Sequence, residues 1–413
     1  MRKIILFALI IALSFTILAC QGKDIGEQVS SEKILGKNWE QILEASKGKT
    51  VNFYGWGGDE RTNKWLDTVV ANTLKEQYDI QLNRVPMDID DILNKLLGDK
   101  QVNNQKGSID IVWINGENFY TAKKNDLLFG PFTDVLPNFK QYIDGDSDEV
   151  KYDFGYEVEG YEAPYGKAQL VLMYDKEKVP NPPRDHQALL AFVKENPGKV
   201  TYPAPPDFTG SAFVRNIMYD ISGYKTFLEL QEEDLEEALE PAMTYFEAIK
   251  PYLWRKGETY PATIAQLNNM FVDGEILLGM SYTPYYASGQ IENGQYPESI
   301  DTYVFDKGTI GNTHFLAIPF NAQNKEAAMV AINAIESVEL QASKYDPANW
   351  GDLPVLEYDK LNEDEKKLFT SVSLGKGAIP QNLLAEHRVP EMPARLVPEV
   401  EKIWMSRIPK KGE

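Results

Sequence analysis

Apolar and polar positions along the chain follow a pattern that alternates between strands and helices. Residues 50–54 form a short apolar run that predicts a strand, and over 59–78 the apolar residues recur at helical spacing. Residues 80–85 and 109–113 predict two more strands, and 90–97 predict a short helix between them. Strands and helices in this order predict a parallel or mixed sheet with helices on its faces.

A second unit of the same kind follows. Residues 169–174 and 199–202 predict strands on either side of a helix over 185–195, and two later strands fall over 275–280 and 313–318. The chain has 413 residues, which is too long for one ordinary core. The sequence therefore predicts an α/β protein with two lobes, each a mixed sheet flanked by helices.

The first residues carry the pattern of a secretion signal. A basic start, Met1-Arg2-Lys3, precedes an almost wholly apolar run over 4–18, which is shorter than the ~20 residues that a membrane-spanning helix needs. The run ends in Leu18-Ala19-Cys20, which resembles the lipobox of bacterial lipoproteins, so we expect a signal peptide over 1–19 and a lipid on Cys20. Cys20 is the only cysteine, which excludes an intramolecular disulfide; an ordinary signal peptide with a coincidental cysteine is the alternative.

The charge balance narrows the classes of partner. The chain carries 42 basic and 62 acidic residues, a formal net charge of −20, whereas nucleic-acid binding needs a basic surface. No nucleic-acid partner is therefore expected. No later segment is apolar over the length of a membrane-spanning helix. Residues 20–47 begin with a polar stretch and are interpreted as a lipid-anchored tether and short helix. The whole is expected to be an exported monomer, anchored to the cell membrane and facing the periplasm or the cell exterior.

Catalytic chemistry has little support in the sequence. The three histidines, His186, His314 and His387, lack the spacing of a zinc site, and there are no cysteine ligands. No G-x-S-x-G nucleophile elbow and no phosphate-binding P-loop appear. We therefore expect that the protein is not an enzyme and that it binds neither a cofactor nor a metal. The paired carboxylates of a glycoside hydrolase stay open as an alternative, because acidic residues are abundant.

Unusual residues stand at the ends of several predicted strands, where open α/β sheets bind ligands. Glycines there let backbone N–H groups approach a ligand, and aromatic rings offer flat faces that can hold cations. Aromatic rings with acids suit an organic cation, whereas aromatic rings with hydroxyls suit a sugar. Two of the candidates, the aspartate after the first strand and the asparagine after the third, have a second interpretation as helix caps. The candidate ligand-binding residues are Trp56, Gly57, Gly58, Asp59, Asn115, Gly116, Glu117, Tyr165, Asp207, Phe208, Thr209, Gly210, Ser211, Tyr282, Tyr285 and Tyr286.

Four segments together carry a family resemblance: "SIDIVWINGENF", "APYGKAQLVLMYDKEKVPNPP", "FVDGEILLGMSYTPYYASG" and "THFLAIPFNAQNKEAAMVAINAIES". As a set, covering most of residues 48–345, they resemble bacterial extracellular solute-binding proteins of family 1. Within that family, "YGWGGD" and "SYTPYY" look closest to a YnjB-type branch that is similar to thiamine-binding proteins. The resemblance implies a two-lobed periplasmic-binding-protein-like fold of type II, with a hinge and an interlobe cleft. It also implies a receptor that hands a solute to the permease of an ABC importer.

The resemblance further implies how the chain divides between the lobes. Residues 48–168 with 319–360 would form the first lobe, and 169–318 with 361–413 the second. Trp56 would line one wall of the cleft, and the tyrosines of the second lobe would line the other. A small-molecule solute, permease subunits and the membrane, through the N-terminal lipid, are the implied partners.

Several cargoes are compatible with the resemblance, and thiamine or a related organic cation ranks first. Adjacent tyrosines such as Tyr285 and Tyr286 also ligate iron in ferric-binding members, but no clear histidine and carboxylate partners accompany them here. Polyamines and maltodextrin-type sugars stay open. A surface adhesin that keeps the fold but has a blocked cleft is a further alternative.

Overall fold

The computed structural model describes residues 33–408. The predicted signal peptide, Cys20 and part of the predicted tether lie outside the described residues. No helix within the described range has the length and apolar character needed to cross a membrane. The strands are β1 (Thr50–Gly55), β2 (Gln81–Pro86), β3 (Ile111–Ile114), β4 (Leu128–Phe129), β5 (Tyr152–Asp153), β6 (Tyr156–Glu157), β7 (Glu162–Gln169), β8 (Val171–Asp175), β9 (Leu278–Ser281), β10 (Ile300–Tyr303), β11 (Thr309–Pro319) and β12 (Arg388–Pro390).

Helices connect these strands, and a π-helical stretch, Trp65–Val70, joins α2 to α3. The α-helices are α1 (Trp39–Ser46), α2 (Glu60–Lys64), α3 (Ala71–Tyr78), α4 (Ile89–Gln101), α5 (Glu117–Lys124), α6 (Pro137–Tyr142), α7 (Asp148–Lys151), α8 (His186–Glu195), α9 (Phe208–Ser222), α10 (Lys225–Leu228), α11 (Leu235–Ile249), α12 (Ile264–Val272), α13 (Tyr286–Glu292), α14 (Lys325–Ile335), α15 (Val338–Tyr345), α16 (Glu363–Thr370), α17 (Gln381–Glu386) and α18 (Val397–Arg407). Short 3-10 turns are Thr133–Val135, Glu232–Asp234, Lys250–Tyr252, Trp254–Gly257 and Tyr358–Lys360.

Seven strands form one sheet, and we call the unit built around it the large-sheet lobe. The order along its main path is β12-β11-β3-β1-β2, while β4 and β7 also pair with β11. β1 runs parallel to β2 and β3, whereas β11 runs antiparallel to β3 and β7. Every residue of β11 is buried, as expected for a strand covered on both faces. The alternation of strand and helix in the first part of the chain thus produces the predicted mixed sheet.

Three antiparallel strands form a second sheet in the order β10-β8-β9, and we call the unit around it the small-sheet lobe. Its core is separate from those of the large-sheet lobe and gathers residues from α8, α9, α11, α12 and α18. The end of the chain belongs to this core, because Trp404 is buried with its ring 6.1 Å from Tyr202 and 5.4 Å from Tyr260. The C-terminal segment therefore completes the small-sheet lobe.

The structure departs from the sequence prediction at residues 199–202 and in the C-terminal tail, and β7 and β10 are strands that the sequence pattern does not predict. The strand predicted over 199–202 is wrong, because this segment belongs to none of the sheets. It is held by single backbone hydrogen bonds, from Trp254 N to Val200 O and from Leu277 N to Lys199 O, both 2.8 Å long. The prolines that follow lack the N–H needed to extend a ladder. Residues from 362 onward, whose pattern predicts helices broken by prolines, also contain β12, which pairs in parallel with the start of β11.

A buried network beneath β7 joins β11 and α15 to the segment after α15. Asp352 accepts a hydrogen bond from Lys344 Nζ at 2.7 Å, and its other oxygen pairs with His314 Nε2 at 3.0 Å. Lys344 Nζ also donates to Leu353 O at 2.7 Å. Gly166 of β7 makes this approach possible, since a Cβ at that position would lie 2.0 Å from Asp352 Oδ2. The strand can pass directly over the network only because residue 166 has no side chain.

We expect Gly166→Ala to lower the free energy of unfolding by about 1–3 kcal/mol, because the added methyl group overpacks a buried ion pair. Gly98→Ala is the matched control, since a Cβ on that residue of α4 meets nothing within 4 Å. The control should raise the free energy of unfolding by about 0.5–1 kcal/mol through helix propensity. Urea titrations of the three proteins measure both values. Equal free energies of unfolding for Gly166→Ala and the wild type would show that the network accommodates the methyl group without losing stability.

Candidate functional site

The strand ends of the two lobes meet at a common junction. Arg61, in the first turn of α2, places its guanidinium 4.8 Å from the centre of the Tyr286 ring, which belongs to the small-sheet lobe. Glu117, at the start of α5 after β3, lies close enough to Arg215 of α9 for their charges to interact. The lobes are therefore closed on each other in this structure, and most of the predicted site residues lie where they meet.

Trp56 follows β1 and presents an exposed ring. Its indole is 43% exposed and meets Trp113 edge-on, with ring centroids 6.3 Å apart. The ring folds back over Gly58, where a Cβ would come within 2.4 Å of it. Gly57 lies against Pro86, and a Cβ on Gly57 would come within 2.5 Å of the Pro86 Cβ. The two glycines thus permit the tight turn that presents the tryptophan face.

Asp59 begins the helix after this turn. Its Oδ1 accepts hydrogen bonds from the Thr62 backbone N–H at 2.8 Å and from the Thr62 hydroxyl at 3.1 Å, so the carboxylate caps α2. Its Oδ2 lies 3.9 Å from Arg61 Nη2. Capping therefore occupies one oxygen of Asp59 and leaves the other beside the Arg61 guanidinium.

The exit of β3 is shaped by Gly116. This residue has a φ of +62°, and its N–H donates to the Asp153 carboxylate. A Cβ on Gly116 would lie 2.9 Å from the Phe154 ring, so only glycine fits the turn without displacement. Gly116 rather than Asn115 occupies the cap position of α5, and no side chain caps this helix. The interpretation of Asn115 as the cap is therefore wrong, and Asn115 lies half-buried at the strand end.

Glu117 carries an unsatisfied carboxylate oxygen. Its Oε1 accepts one hydrogen bond from Asn118 Nδ2 at 3.2 Å, while its Oε2 is buried and finds no donor among the described residues. Burial raises the pKa of Glu117 to about 7; Arg215 opposes this change, whereas Glu401 and Glu391 add to it. A cation brought close to Glu117 would shift the carboxyl group toward its charged form.

The first turn of α9 supplies the facing surface of the small-sheet lobe. Asp207 caps the helix by accepting from Gly210 N at 2.9 Å, and its other oxygen accepts from Ile264 N at 2.9 Å. Burial raises the pKa of Asp207. Thr209 and Gly210 are buried, and a Cβ on Gly210 would lie 2.1 Å from Pro203 O. These three predicted site residues therefore build the turn itself.

Phe208 is the exposed residue of that turn, at 37%. Its ring contacts Tyr282 and Phe154, with centroid distances of 5.4 and 6.3 Å. Phe208 and Trp56 thus present partly exposed aromatic rings from opposite lobes. Flat faces of this kind suit an aromatic or cationic ligand.

An ion cluster lies next to Tyr282. Arg215 binds Glu391 through two hydrogen bonds, of 3.1 Å from Nε and 2.9 Å from Nη2. The Tyr282 hydroxyl donates to Glu391 at 2.6 Å. Ser211 donates to Glu401 at 2.5 Å and accepts from Arg215 at 2.6 Å. The cluster connects α9 and the end of β9 to the C-terminal segment.

Sequence reasoning missed four charged residues of this junction: Arg61, Arg215, Glu391 and Glu401. Arg215 stands one helical turn after Ser211, and that spacing places both on one helix face. Arg61 stands two residues after Asp59 in the first turn of a helix. A positive charge so close to a candidate site residue could have marked it as a further candidate. Glu391 lies in the proline-broken tail and offers no local signal for its role.

The other predicted site residues separate into buried and junction positions. Tyr165 is fully buried, with its ring 5.5 Å from Trp113. Tyr285 is also fully buried and meets the Tyr345 ring at 5.7 Å. Tyr286 lies under the Arg61 guanidinium. In this closed arrangement Tyr286 is at the junction, while Tyr165 and Tyr285 pack in the cores behind it.

Metal-binding geometry is absent from the part of the chain that the structure describes, since residues 33–408 contain no group of three or more His, Cys, Asp or Glu arranged to hold a metal. Two surface hollows, of about 580 and 390 Å³, lie elsewhere. The first is lined by α1 and the residues before it, and the second lies between α13, α15 and α16. Neither hollow is lined by the residues of the interlobe contacts, Arg61 with Tyr286 and Glu117 with Arg215.

Comparison with known proteins identifies the class of the molecule. Residues 69–358 match the family model described as "Bacterial extracellular solute-binding protein". The chain belongs to this family. Protein YnjB of Escherichia coli (strain K12) is 36% identical to it over 374 residues, which cover 90% of this chain and 94% of YnjB.

Solved structures share the fold of this solute-binding protein. A "Periplasmic thiamin binding protein" is 16% identical, with a TM-score of 0.60 over 87% of this chain and 95% of that one. A "Putative spermidine/putrescine ABC transporter from Listeria monocytogenes" is 16% identical, with a TM-score of 0.59 over 87% of this chain and 98% of that one. At such identities the likeness concerns the fold alone.

These comparisons confirm the family resemblance and the two-lobed, type II periplasmic-binding-protein-like fold. The protein is a solute-binding component of an ABC transporter, and its family and fold are those of transport binding proteins. An exported location fits the extracellular solute-binding family. The lobe boundaries and the set of ligand-binding residues stay predictions.

We expect the free energy of unfolding to fall as the pH rises from about 4.5 to about 7, because burial raises the pKa of Glu117 from 4.5 to about 7. The folded protein then holds this proton more tightly than the unfolded chain does. Buried Asp153, Glu162 and Glu336 have raised pKa values too and add to the slope.

Urea unfolding of the ligand-free protein at several pH values measures this slope. Glu117→Gln should reduce it, whereas Glu76→Gln, on the exposed side of α3, should leave it unchanged. The same slope in both variants would remove Glu117 from the set of groups that titrate on unfolding.

Proposed function

We propose that this protein captures a small organic cation between its two lobes and delivers it to the permease of an ABC importer. Thiamine is the first candidate. The observation that carries the proposal is the excess of carboxylates at the closed junction: Glu117, Glu391 and Glu401 surround the guanidinium of Arg215. Once Glu117 is ionised, three acids against one arginine leave this region negative, and an organic cation would balance it.

Glu117 gives the proposal its chemical detail. Its buried Oε2 has no hydrogen-bond donor among residues 33–408. Burying a carboxylate without a partner is costly, so a cationic nitrogen placed beside it would recover an interaction that the protein alone does not make. Glu117 belongs to the large-sheet lobe and Glu391 to the core of the small-sheet lobe. A cation held by both lobes stabilises the closed state over the open one.

Aromatic residues favour a cation that carries a ring. Trp56 and Phe208 present partly exposed rings from opposite lobes. Such rings attract cations through their negative faces and also bury flat apolar surface. Thiamine combines a positive charge with aromatic rings, which is why we place it before a linear polyamine. A solved thiamin-binding protein with the same fold supports this order without deciding it.

The alternative cargoes and functions fit the junction less well. Ferric iron would need both phenolates on one ion, but Tyr285 packs against Tyr345 while Tyr286 packs against Arg61. A glycoside hydrolase would need a free carboxylate pair, and Glu391 is committed to Arg215 and to Tyr282. A sugar receptor would use free hydroxyls, but the Tyr282 and Ser211 hydroxyls at the junction donate to Glu391 and Glu401. An adhesin would keep the junction closed and bind no solute.

The remaining parts of the proposal concern the anchor and the assembly. We propose that the signal peptide over residues 1–19 is removed and that Cys20 then carries the lipid that holds a monomeric receptor at the membrane. The lobe division at residues 48–168 with 319–360 and 169–318 with 361–413 belongs to the same proposal, except that β11 and β12 pair in the large sheet and so belong to the large-sheet lobe. Metabolic labelling with a radioactive fatty acid tests the anchor, because Cys20→Ser should abolish labelling.

Calorimetric titration with thiamine tests the cargo. The protein beginning at residue 21 is unfolded in denaturant, washed and refolded to remove any ligand carried through purification. We expect saturable 1:1 heat. The affinity should rise with pH through about 7, where Glu117 loses its proton and becomes the anion that a cation needs. Glu117→Gln should weaken binding tenfold or more, a loss of about 1.4 kcal/mol, and exposed Glu76→Gln is its control. Heat with spermidine, ferric citrate or maltose but not thiamine would replace thiamine as the cargo.

We also expect Trp56→Ala to weaken cargo binding by about 1–3 kcal/mol, because it removes an aromatic face from the junction. The indole is 43% exposed, so the change should leave the thermal unfolding temperature close to that of the wild type. Tyr358→Ala, another exposed aromatic residue far along the chain, is the control for a general loss of surface aromatics. Unchanged affinity in Trp56→Ala would show that the cargo does not contact this wall.

A further inference from the structure

Arg61 is a buried arginine whose Nε and Nη2 atoms make no hydrogen bonds within the described residues. Its side chain crosses the junction between the lobes and is only 8% exposed as a residue. Nη1 donates to Pro347 O at 3.2 Å, and the guanidinium lies over the Tyr286 ring. Nε and Nη2, however, are buried and have no hydrogen-bond partner within residues 33–408. These two nitrogens form the edge of a guanidinium that carries two parallel N–H bonds.

The same edge is filled in two other arginines of this protein. Arg84 binds Asp67 through Nε at 2.8 Å and Nη2 at 2.7 Å. Arg215 binds Glu391 through the same two atoms. In both, a carboxylate takes both N–H bonds at once. Arg61 has the donors without the acceptor, although it is more deeply buried than the ordinary surface arginine, for which water would supply the missing partner.

Asp59 does not supply that acceptor. Its Oδ2 lies 3.9 Å from Arg61 Nη2, beyond hydrogen-bond distance, and its Oδ1 caps α2 through Thr62. Asp59 therefore provides some charge balance but leaves both N–H bonds free. A planar fork of this kind matches the paired oxygens of a phosphate or a carboxylate.

We propose that Arg61 is the anion subsite of this receptor, so that its cargo carries a phosphate or carboxylate group in addition to its cationic centre. This inference rests on the proposed function, because it assigns a second charged group to the same cargo. Glu117 would meet the positive part of the molecule, and Arg61 the negative part. The cargo class is therefore an amphoteric small molecule, such as the phosphate ester of a ring cation.

The geometry also explains why the subsite is completed only on closure. Arg61 belongs to the large-sheet lobe, whereas Tyr286 and Gly289 belong to α13 of the small-sheet lobe. A Cβ on Gly289 would lie 1.7 Å from Arg61 Nη1, so the guanidinium reaches α13 only because residue 289 is glycine. An anion would meet Arg61 while the lobes are apart, and closure would then cover it with Tyr286.

A purely mechanical role for Arg61 is the competing explanation, and affinity ratios separate the two. If Arg61 only holds the lobes together, its loss lowers the affinity for every cargo by the same factor, because it changes the population of the closed state. If Arg61 binds an anion, its loss lowers only the affinity for cargo that carries one. The informative quantity is therefore the ratio of affinities for two ligands that differ by one phosphate.

The test compares thiamine monophosphate with thiamine by calorimetry on the refolded protein. We expect the wild type to bind the phosphate ester about tenfold more tightly or better. Arg61→Gln should bring the ratio close to one while holding the affinity for thiamine within about threefold, and Arg61→Lys, which keeps the charge but lacks the fork, should lose most of the preference. Glu117→Gln should weaken both ligands alike. A ratio unchanged by Arg61→Gln would overturn the anion subsite, and thermal unfolding confirms that each variant is folded.

A second arm keeps the subsite testable if the cation is wrong. Inorganic phosphate and acetate are titrated alone, at millimolar concentration, into the wild type and Arg61→Gln while the thermal unfolding temperature is followed. Stabilisation of the wild type but not the variant supports the subsite, and phosphate over acetate, or the reverse, tells which anion the cargo carries. Equal responses of both proteins to both anions would overturn it. Failure of thiamine and its phosphate to bind at all would instead count against the proposed cation.

Discussion

The paired hydrogen bonds between Arg215 and Glu391 are the interaction on which the junction depends. Both side chains are almost fully buried, so the pair has lost its contact with water and cannot separate without leaving an uncompensated charge. The pair fixes the C-terminal segment against α9. It thereby positions the Tyr282 hydroxyl and the Ser211–Glu401 contact. The electrostatic environment of Glu117 in the opposite lobe follows from this arrangement.

The periodicity of the sequence predicted most of the fold because most elements bury one face within their own lobe. That reasoning worked for β1, for the helical segment after it and for α8, whose apolar spacing records the burial directly. It failed where pairing is non-local. The apolar residues of 199–202 are buried without pairing to another strand. β12 pairs with the start of β11, from which it is separated by many residues of sequence. A local pattern holds no information about either partner.

The candidate site residues likewise fall into those that local sequence could predict and those that depend on distant partners. Strand-end glycines and aromatics could be found because the topology sends strand ends to one edge, and Trp56, Gly116 and Phe208 are at the junction. Burial was harder to foresee, because Tyr285 and Tyr286 are adjacent in sequence yet pack against different neighbours. Glu391 acquires its role from Arg215, 176 positions away, so no window of sequence contains both.

The path of the chain through the two lobes has a consequence for how the protein is made. The large sheet needs β11, from residues 309–319, and the core of the small-sheet lobe needs Trp404. A ribosome releases the chain from its N-terminus, so neither core can be completed until most of the chain has left it. Closing such long loops also delays folding after release. Synthesis therefore yields an unfolded polypeptide for a time, the form that an export channel can thread before the lobes assemble on the far side.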